Sequence, residues 1–190
     1  MDNEKPHVEM LAQRESYIAA VQKIAAGDSL ELRDIQETLN WLQSASAIHK
    51  PDNMEQHLGV MFIVLSPDRK QTFMLNHRKA QLWLPPGGHV DRGLSFQEAV
   101  SAEMLEELKC EAVFITPFPF FLTTTLTRGI NAGHIDVTAW FLVEGDPTRK
   151  YEVLEKEASE AKWVLVEDLL SMPERSNLPR AYRKMQEFIR

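Results

Sequence analysis

Residues 87–110 read GGHVDRGLSFQEAVSAEMLEELKC: two glycines, a short polar loop, then a helical pattern. Ser95 and Glu98 have the S-x-x-E spacing of a capping box, so a helix is expected to start just after Ser95. Val100, Met104 and Leu108 fall on one stripe of that helix, with Leu105 at its edge, and form the expected core face. Glu103, Glu106 and Glu107 fall on a different face in the last turns. Anions at a helix C-terminus are disfavoured by roughly 0.3–1 kcal/mol each. Like charges three or four residues apart add about 0.2–0.5 kcal/mol per pair. A hard divalent cation held by the three carboxylates would reverse both terms. A solvated acidic face is the competing reading.

Gly87 and Gly88 let backbone approach a ligand closely, and a backbone carbonyl there is a further metal ligand; a plain Pro-Gly turn is the alternative. Upstream, HLGVMFIVL (57–65) is apolar on both faces, as a central strand is, and SPDRKQ turns the chain into a second strand, TFMLNH. Downstream, FFLTTTLTR and HIDVTAWFLV flank GINAG, which reads as a hairpin connection. KWVLV forms a short strand, EDLLSM a small helix and LPRAYRKMQEFIR a final helix. Before residue 50 the pattern is helical. Leu11, Ile18, Val21 and Ala25 stripe one segment, Leu32, Ile35, Leu39 and Leu42 the next, and Asp28 with Glu31 has capping-box spacing. Strands interleaved with helices predict an α/β sandwich with a mixed sheet. Residues 1–50 form a helical extension and residues 51–190 the main domain.

The chain has 190 residues, 44% of them hydrophobic and 26% charged, which is enough for one domain with a real core. A formal net charge of −7 without a basic cluster argues against nucleic acid or an anionic membrane as partner. The single cysteine, Cys110, rules out an internal disulfide and suits a reducing compartment, and MDNEKPHVEM is no secretory signal. No run is long enough to span a bilayer. A cytoplasmic protein is expected.

The stretch Gly88–Cys110 resembles the Nudix box of the Nudix hydrolases, G-x5-E-x7-R-E-U-x-E-E-x-G-U with U a bulky aliphatic residue. Gly88 matches the first glycine, and Glu103, Met104, Glu106 and Glu107 match E-U-x-E-E. Leu94, Ala102 and Lys109 depart from the pattern, where the family has glutamate, arginine and glycine. In the family that glutamate and arginine are thought to brace the loop against the helix. Here both are replaced by apolar residues, so neither is left as an unpaired buried charge. Lys109, if the helix ends there, takes a left-handed position at a cost of about 1 kcal/mol relative to glycine. The resemblance extends in strand order from about His57 to Leu170.

The resemblance implies a Nudix-type α/β/α sandwich and water attack on phosphorus in a nucleoside diphosphate linked to another group, a nucleoside triphosphate, nucleotide sugar or ADP-ribose type of substrate. Glu103, Glu106 and Glu107 would hold Mg²⁺, with Mn²⁺ as the alternative ion, and Gly87 would add its carbonyl. Glu106, Glu107 and an acid in the later loop are candidates for the catalytic base, with Glu157 preferred to Glu160 for that acid. Glu160, Gly88, His77 and Arg78 are candidate substrate contacts. His134 is expected to be a structural histidine donating to backbone. His57 and His89 have no partner at zinc-ligand spacing, so no zinc site is expected. Cys110 and the run Phe118–Phe121 are expected in the core. A Nudix-fold module that binds a nucleotide without turning it over is the main alternative, favoured by Leu94 and Ala102. An isoprenyl diphosphate isomerase ranks last, because it needs a catalytic cysteine elsewhere. The N-terminal helices could form a homodimer, cap the substrate site or extend the core.

Overall fold

A computed structural model describes residues 4–127, 130, 132–172 and 177–189. Two helices open the chain, α1 (Glu4–Gln22) and α2 (Ser29–Ser44). Strands β1 (Gln56–Leu65), β2 (Gln71–His77), β3 (Leu82–Leu84) and β4 (Gly87–His89) precede helix α3 (Phe96–Leu108). Strands β5 (Phe121–Leu126), β6 (Ile135–Glu144) and β7 (Ala158–Leu165) follow, then helices α4 (Val166–Leu170) and α5 (Asn177–Phe188). Gly129 and Asn131 of the expected hairpin connection lie outside the described residues, as does Arg190 of the final helix.

The seven strands form one mixed sheet with the path β3-β2-β1-β6-β5. β1 and β6 run parallel in register for ten residues, from Gln56 opposite Ile135 to Leu65 opposite Glu144. The short β4 pairs antiparallel with β1 at Gly59–Met61, and β7 pairs antiparallel with β2. Alternation along the strands sorts the side chains into layers. Leu58, Val60, Phe62 and Val64 of β1, with Val137, Ala139, Phe141 and Val143 of β6, share a core with α1, α2 and α3. Ile63, Leu65, Trp140 and Leu142 on the other face pack with α4 and α5. Near the start of that second face the apolar cover ends, and His57 and Gly59 of β1 lie beside Asp136 and Thr138 of β6. The architecture is the expected α/β/α sandwich. Among the described residues, no helix is long and apolar enough to cross a membrane.

Several local expectations change. Leu11 and Leu32 are exposed, Ala25 lies beyond the end of α1, and Tyr17, Val21 and Ile24 supply the buried contacts of the first segment. On α2 the inward face is Glu31, Asp34, Ile35, Thr38 and Leu42. The reason is β5, an edge strand whose outward N–H groups need acceptors. Glu31 accepts from Leu122 N–H at 3.2 Å and Asp34 from Thr124 N–H. Glu31 also accepts from Gly27 N–H at 2.7 Å and from Lys184 Nζ at 2.5 Å. Asp28 still caps α2 through Glu31 N–H, but the reciprocal half of the box is shifted to Gly27. β7 begins four residues before KWVLV, and PPGG enters a strand instead of only breaking the chain.

Candidate functional site

The capping box of α3 is complete: Ser95 Oγ accepts from Glu98 N–H, and Glu98 accepts from Ser95 N–H at 2.7 Å. Val100, Met104 and Leu108 are buried, as their stripe requires, while Leu105 is exposed. The helix ends at Lys109, which adopts φ 52° and ψ 41°. The left-handed cost expected for a non-glycine residue there is therefore present, about 1 kcal/mol.

The three glutamates differ in environment. Glu107 is buried, with 3% of its surface exposed, and accepts from Gly87 N–H at 3.0 Å. Glu103 is half-buried and lies against Gly88, where any side chain would drive into its carboxylate. A side chain at Gly87 would strike the Val60 carbonyl across the β4–β1 pair. The two glycines thus serve the approach of β1 on one side and of the carboxylates on the other. Glu106 is exposed and pairs with Lys156 at 3.0 Å. Neither Glu103 nor Glu107 has an ion-pair partner among the described residues. Burial, then the Glu106 charge, raises Glu103 to about 7. Burial, then the Glu103 charge, raises Glu107 to about 8, against the Gly87 hydrogen bond. Two carboxylates held this way are short of positive charge, and a hard dication on oxygen ligands fits the set.

These residues line one side of a cavity of about 300 Å³. Glu157 lines it too and pairs with Lys79 at 3.3 Å. His77 lines it, its Nδ1 accepting from Ala80 N–H at 3.2 Å, and burial lowers its pKa. Gly87 and Gly88 form part of the wall. Arg78 and Glu160 are not in the lining. Arg78 is exposed and donates to the Glu155 carbonyl at 2.6 Å, and Glu160 lies exposed on β7. Lys79, one residue on, brings the cation into the cavity instead, and Lys50 adds a second. A strand end leading to a turn gives no sign of which of two consecutive basic residues points inward.

The cavity lining is also rich in nitrogen ligands. His89 and His134 line it with Asp136, and His57 lies behind them, fully buried. The His57 and His134 rings stack with centroids 4.8 Å apart, and His89 is 4.9 Å from His57. His134 therefore differs from its expected role. Its ring meets the Thr127 hydroxyl at 3.1 Å and Asp136 at 3.3 Å. Burial lowers His57, and burial followed by Lys50 lowers His89 to about 3, while burial raises Asp136. Sequence spacing offered these histidines no partners, but the register His57 opposite Asp136 and Gly59 opposite His89 supplies them. Cys110, Phe120 and Phe121 are in the core, as expected, and Phe118 is partly exposed.

Leu94 and Ala102, the departures from the box, also acquire an account. Ala102 is exposed. Leu94 packs against the core, and its carbonyl accepts from Tyr17 Oη at 2.5 Å and from Gln13 Nε2 at 3.2 Å. Helix α1 thus ties down the loop before α3.

A family model described as NUDIX domain matches residues 55–187. Among solved structures, the Ap4A hydrolase of C. elegans is similar at 17% identity with a TM-score of 0.55, covering 70% of this chain and 98% of that one. The E. coli dihydroneopterin triphosphate pyrophosphohydrolase is 14% identical with a TM-score of 0.55, covering 73% and 97%. The NUDIX domain of Shewanella oneidensis NrtR, in complex with ADP ribose, is 16% identical with a TM-score of 0.55, covering 80% and 97%. Comparison with curated proteins finds no match. At these identities the structural likenesses speak to fold.

Proposed function

Because this chain belongs to the NUDIX family of hydrolases, by a domain match over more than half its length, we propose that it is a Mg²⁺-dependent diphosphohydrolase. Its substrate would be a nucleoside diphosphate joined through phosphate to a second group, cleaved by water attack on phosphorus. The observation that carries this reading is the pair Glu103 and Glu107, pressed onto Gly87–Gly88 at the cavity wall without an ion-pair partner among the described residues. Glu103, Glu106 and Glu107 would hold the ion, with the Gly87 carbonyl beside them. A bound dication neutralises the diphosphate and lowers the pKa of its water.

The chain's own groups do the rest. Gly87 N–H fixes one Glu107 oxygen and leaves the other for the ligand. Glu157 reaches the cavity from the β7 side and is our choice of proton acceptor, with Glu106 and Glu107 as the other candidates. Lys79 restrains Glu157 and offers a charge to substrate phosphate. Lys50 lines the same cavity and offers a second charge to substrate phosphate. Arg78 and Glu160 are left out of these assignments.

The names of the similar structures, an Ap4A hydrolase, a pyrophosphohydrolase and a domain bound to ADP ribose, guide the choice of test compounds. Incubation of the full chain with Ap4A, ADP-ribose and nucleoside triphosphates, with and without Mg²⁺, tests the proposal. Mg²⁺-dependent release of a nucleoside monophosphate or of pyrophosphate supports it. Binding of these compounds without any product would favour the nucleotide-binding module, the reading suggested by the loss of the Glu–Arg brace at Leu94 and Ala102.

A further inference from the structure

We propose that His57, His89, His134 and Asp136 form a second metal site, separate from the carboxylates of α3, that takes a borderline divalent transition ion, Zn²⁺ by ligand type. One candidate ligand atom from each residue lies within 4.8 Å of all the others. A tetrahedral zinc with bonds of about 2.0–2.1 Å has ligand atoms about 3.3 Å apart, so the set needs to close only slightly around an ion. Three imidazoles and one carboxylate suit Zn²⁺ and its first-row neighbours, whereas Mg²⁺ prefers oxygen ligands alone.

The hydrogen bonds orient the lone pairs. His57 Nδ1 is 2.9 Å from the Asn53 carbonyl, which can only accept, so the ring hydrogen is on Nδ1 and the Nε2 lone pair is free. That lone pair is aimed at Asp136 Oδ1, 3.0 Å away. Both atoms are buried, and neither has a hydrogen-bond partner among the described residues. At His134 the Thr127 hydroxyl lies 3.0 Å from the His134 carbonyl and 3.1 Å from ring Nδ1, and we assign the hydroxyl hydrogen to the carbonyl and the ring hydrogen to Nδ1. His134 Nε2 therefore also presents a lone pair to Asp136 Oδ1, at 3.3 Å. Two nitrogen lone pairs and a carboxylate oxygen thus converge on one spot without a proton between them. A divalent cation would satisfy all three at once. Outward Nδ1–H bonds to a carbonyl and a hydroxyl are the supports that metal-ligating histidines carry.

His89 stands beside them, its Nε2 held by the Lys50 ammonium at 3.1 Å. Lys50 is a long, half-exposed side chain that can swing away and release His89 to an incoming dication. The scaffold is rigid, because His57 and Asp136 are directly paired across the parallel strands β1 and β6 and His89 ends β4 on the same β1. An ion there would add positive charge to the cavity that the carboxylates also line. The histidine site stands whether or not the carboxylate site turns substrate over.

The test uses the full chain, stripped of metal and titrated with Co²⁺ in the presence of excess Mg²⁺ to fill the carboxylates. One equivalent is expected to give the intense visible absorption of four-coordinate cobalt, and Zn²⁺ should abolish it. Asp136→Asn, which keeps shape, and His134→Ala, at a partly exposed residue, should each weaken uptake by roughly 100-fold or more. Glu103→Gln with Glu107→Gln should leave the spectrum intact. Circular dichroism of each variant checks that it is folded. The proposal is overturned if the wild-type chain gives no such spectrum, if both ligand variants retain it, or if the glutamate variants remove it.

Discussion

The three clustered glutamates of the cavity lie within five consecutive residues of one helix, whereas the clustered imidazoles come from β1, β4 and the residue before β6. The helical cluster is local: its geometry follows from residue spacing, and its electrostatic cost is visible before any fold is known. The strand cluster is made by register alone. His57 and Asp136 are far apart in the chain and become neighbours only because β1 and β6 pair in parallel. The two also differ in what they lack. Among the described residues Glu103 and Glu107 lack an ion-pair partner, while His57 Nε2 and Asp136 Oδ1 lack a hydrogen-bond partner.

The sharpest way to break this contrast is to remove Glu107. Glu107→Gln should lower Mg²⁺-dependent kcat by roughly 10³-fold, since a ligand to a charge-stabilising ion is worth several kcal/mol. The same variant should keep the cobalt spectrum of the histidine cluster. Steady-state kinetics and absorption on a single preparation check both. Loss of both signals together would mean that the cavity holds one site and not two.

A second test uses pH. The ordinary glutamate value is 4.5, and Glu103 and Glu107 are raised to about 7 and about 8 in the folded chain. Between those values the folded state binds more protons than the unfolded one, so stability falls as pH rises. Their contribution is fully present below about 4.5 and is lost as pH climbs through about 7 and about 8. The Tm of metal-free protein should decline over that window, by about 2–4 °C for each kcal/mol lost. Mg²⁺ should flatten the decline, and Glu103→Gln with Glu107→Gln should largely remove it. A slope unchanged by that double variant would place the titration elsewhere.

A smaller effect concerns the loop that joins the two clusters. Tyr17→Phe removes one of two donors to the Leu94 carbonyl and should cost about 0.5–1.5 kcal/mol of stability. If α1 does replace the missing Glu–Arg brace, kcat/KM should also fall several-fold. Chemical denaturation and kinetics together check this. A stability loss with unchanged kinetics would reduce α1 to a packing element.

The pattern of what could be read in advance follows the same division. The capping box at Ser95, the buried stripe Val100–Met104–Leu108 and the central strand at residues 57–65 depend on neighbours within a few residues, and all are present. The α/β/α layering follows from the order of such segments. On α2, Ile35 and Leu42 face inward as their stripe requires, but Leu32 is exposed, because the edge strand β5 calls for acceptors at Glu31 and Asp34. Lys79 and Arg78 could not be ranked without knowing how the chain leaves β2. The partners of His57 and His89 were invisible because nothing local encodes a parallel register between distant strands.

The most direct test of the central claim is calorimetric titration of Mg²⁺ into the metal-free chain, at about pH 9 and at about pH 6, with a non-hydrolysable nucleotide present. The account predicts uptake at the higher pH that weakens at the lower, where protons are released on binding as Glu103 and Glu107 ionise. No Mg²⁺ uptake at either pH, or uptake undiminished in the Glu103→Gln, Glu107→Gln variant, would contradict it.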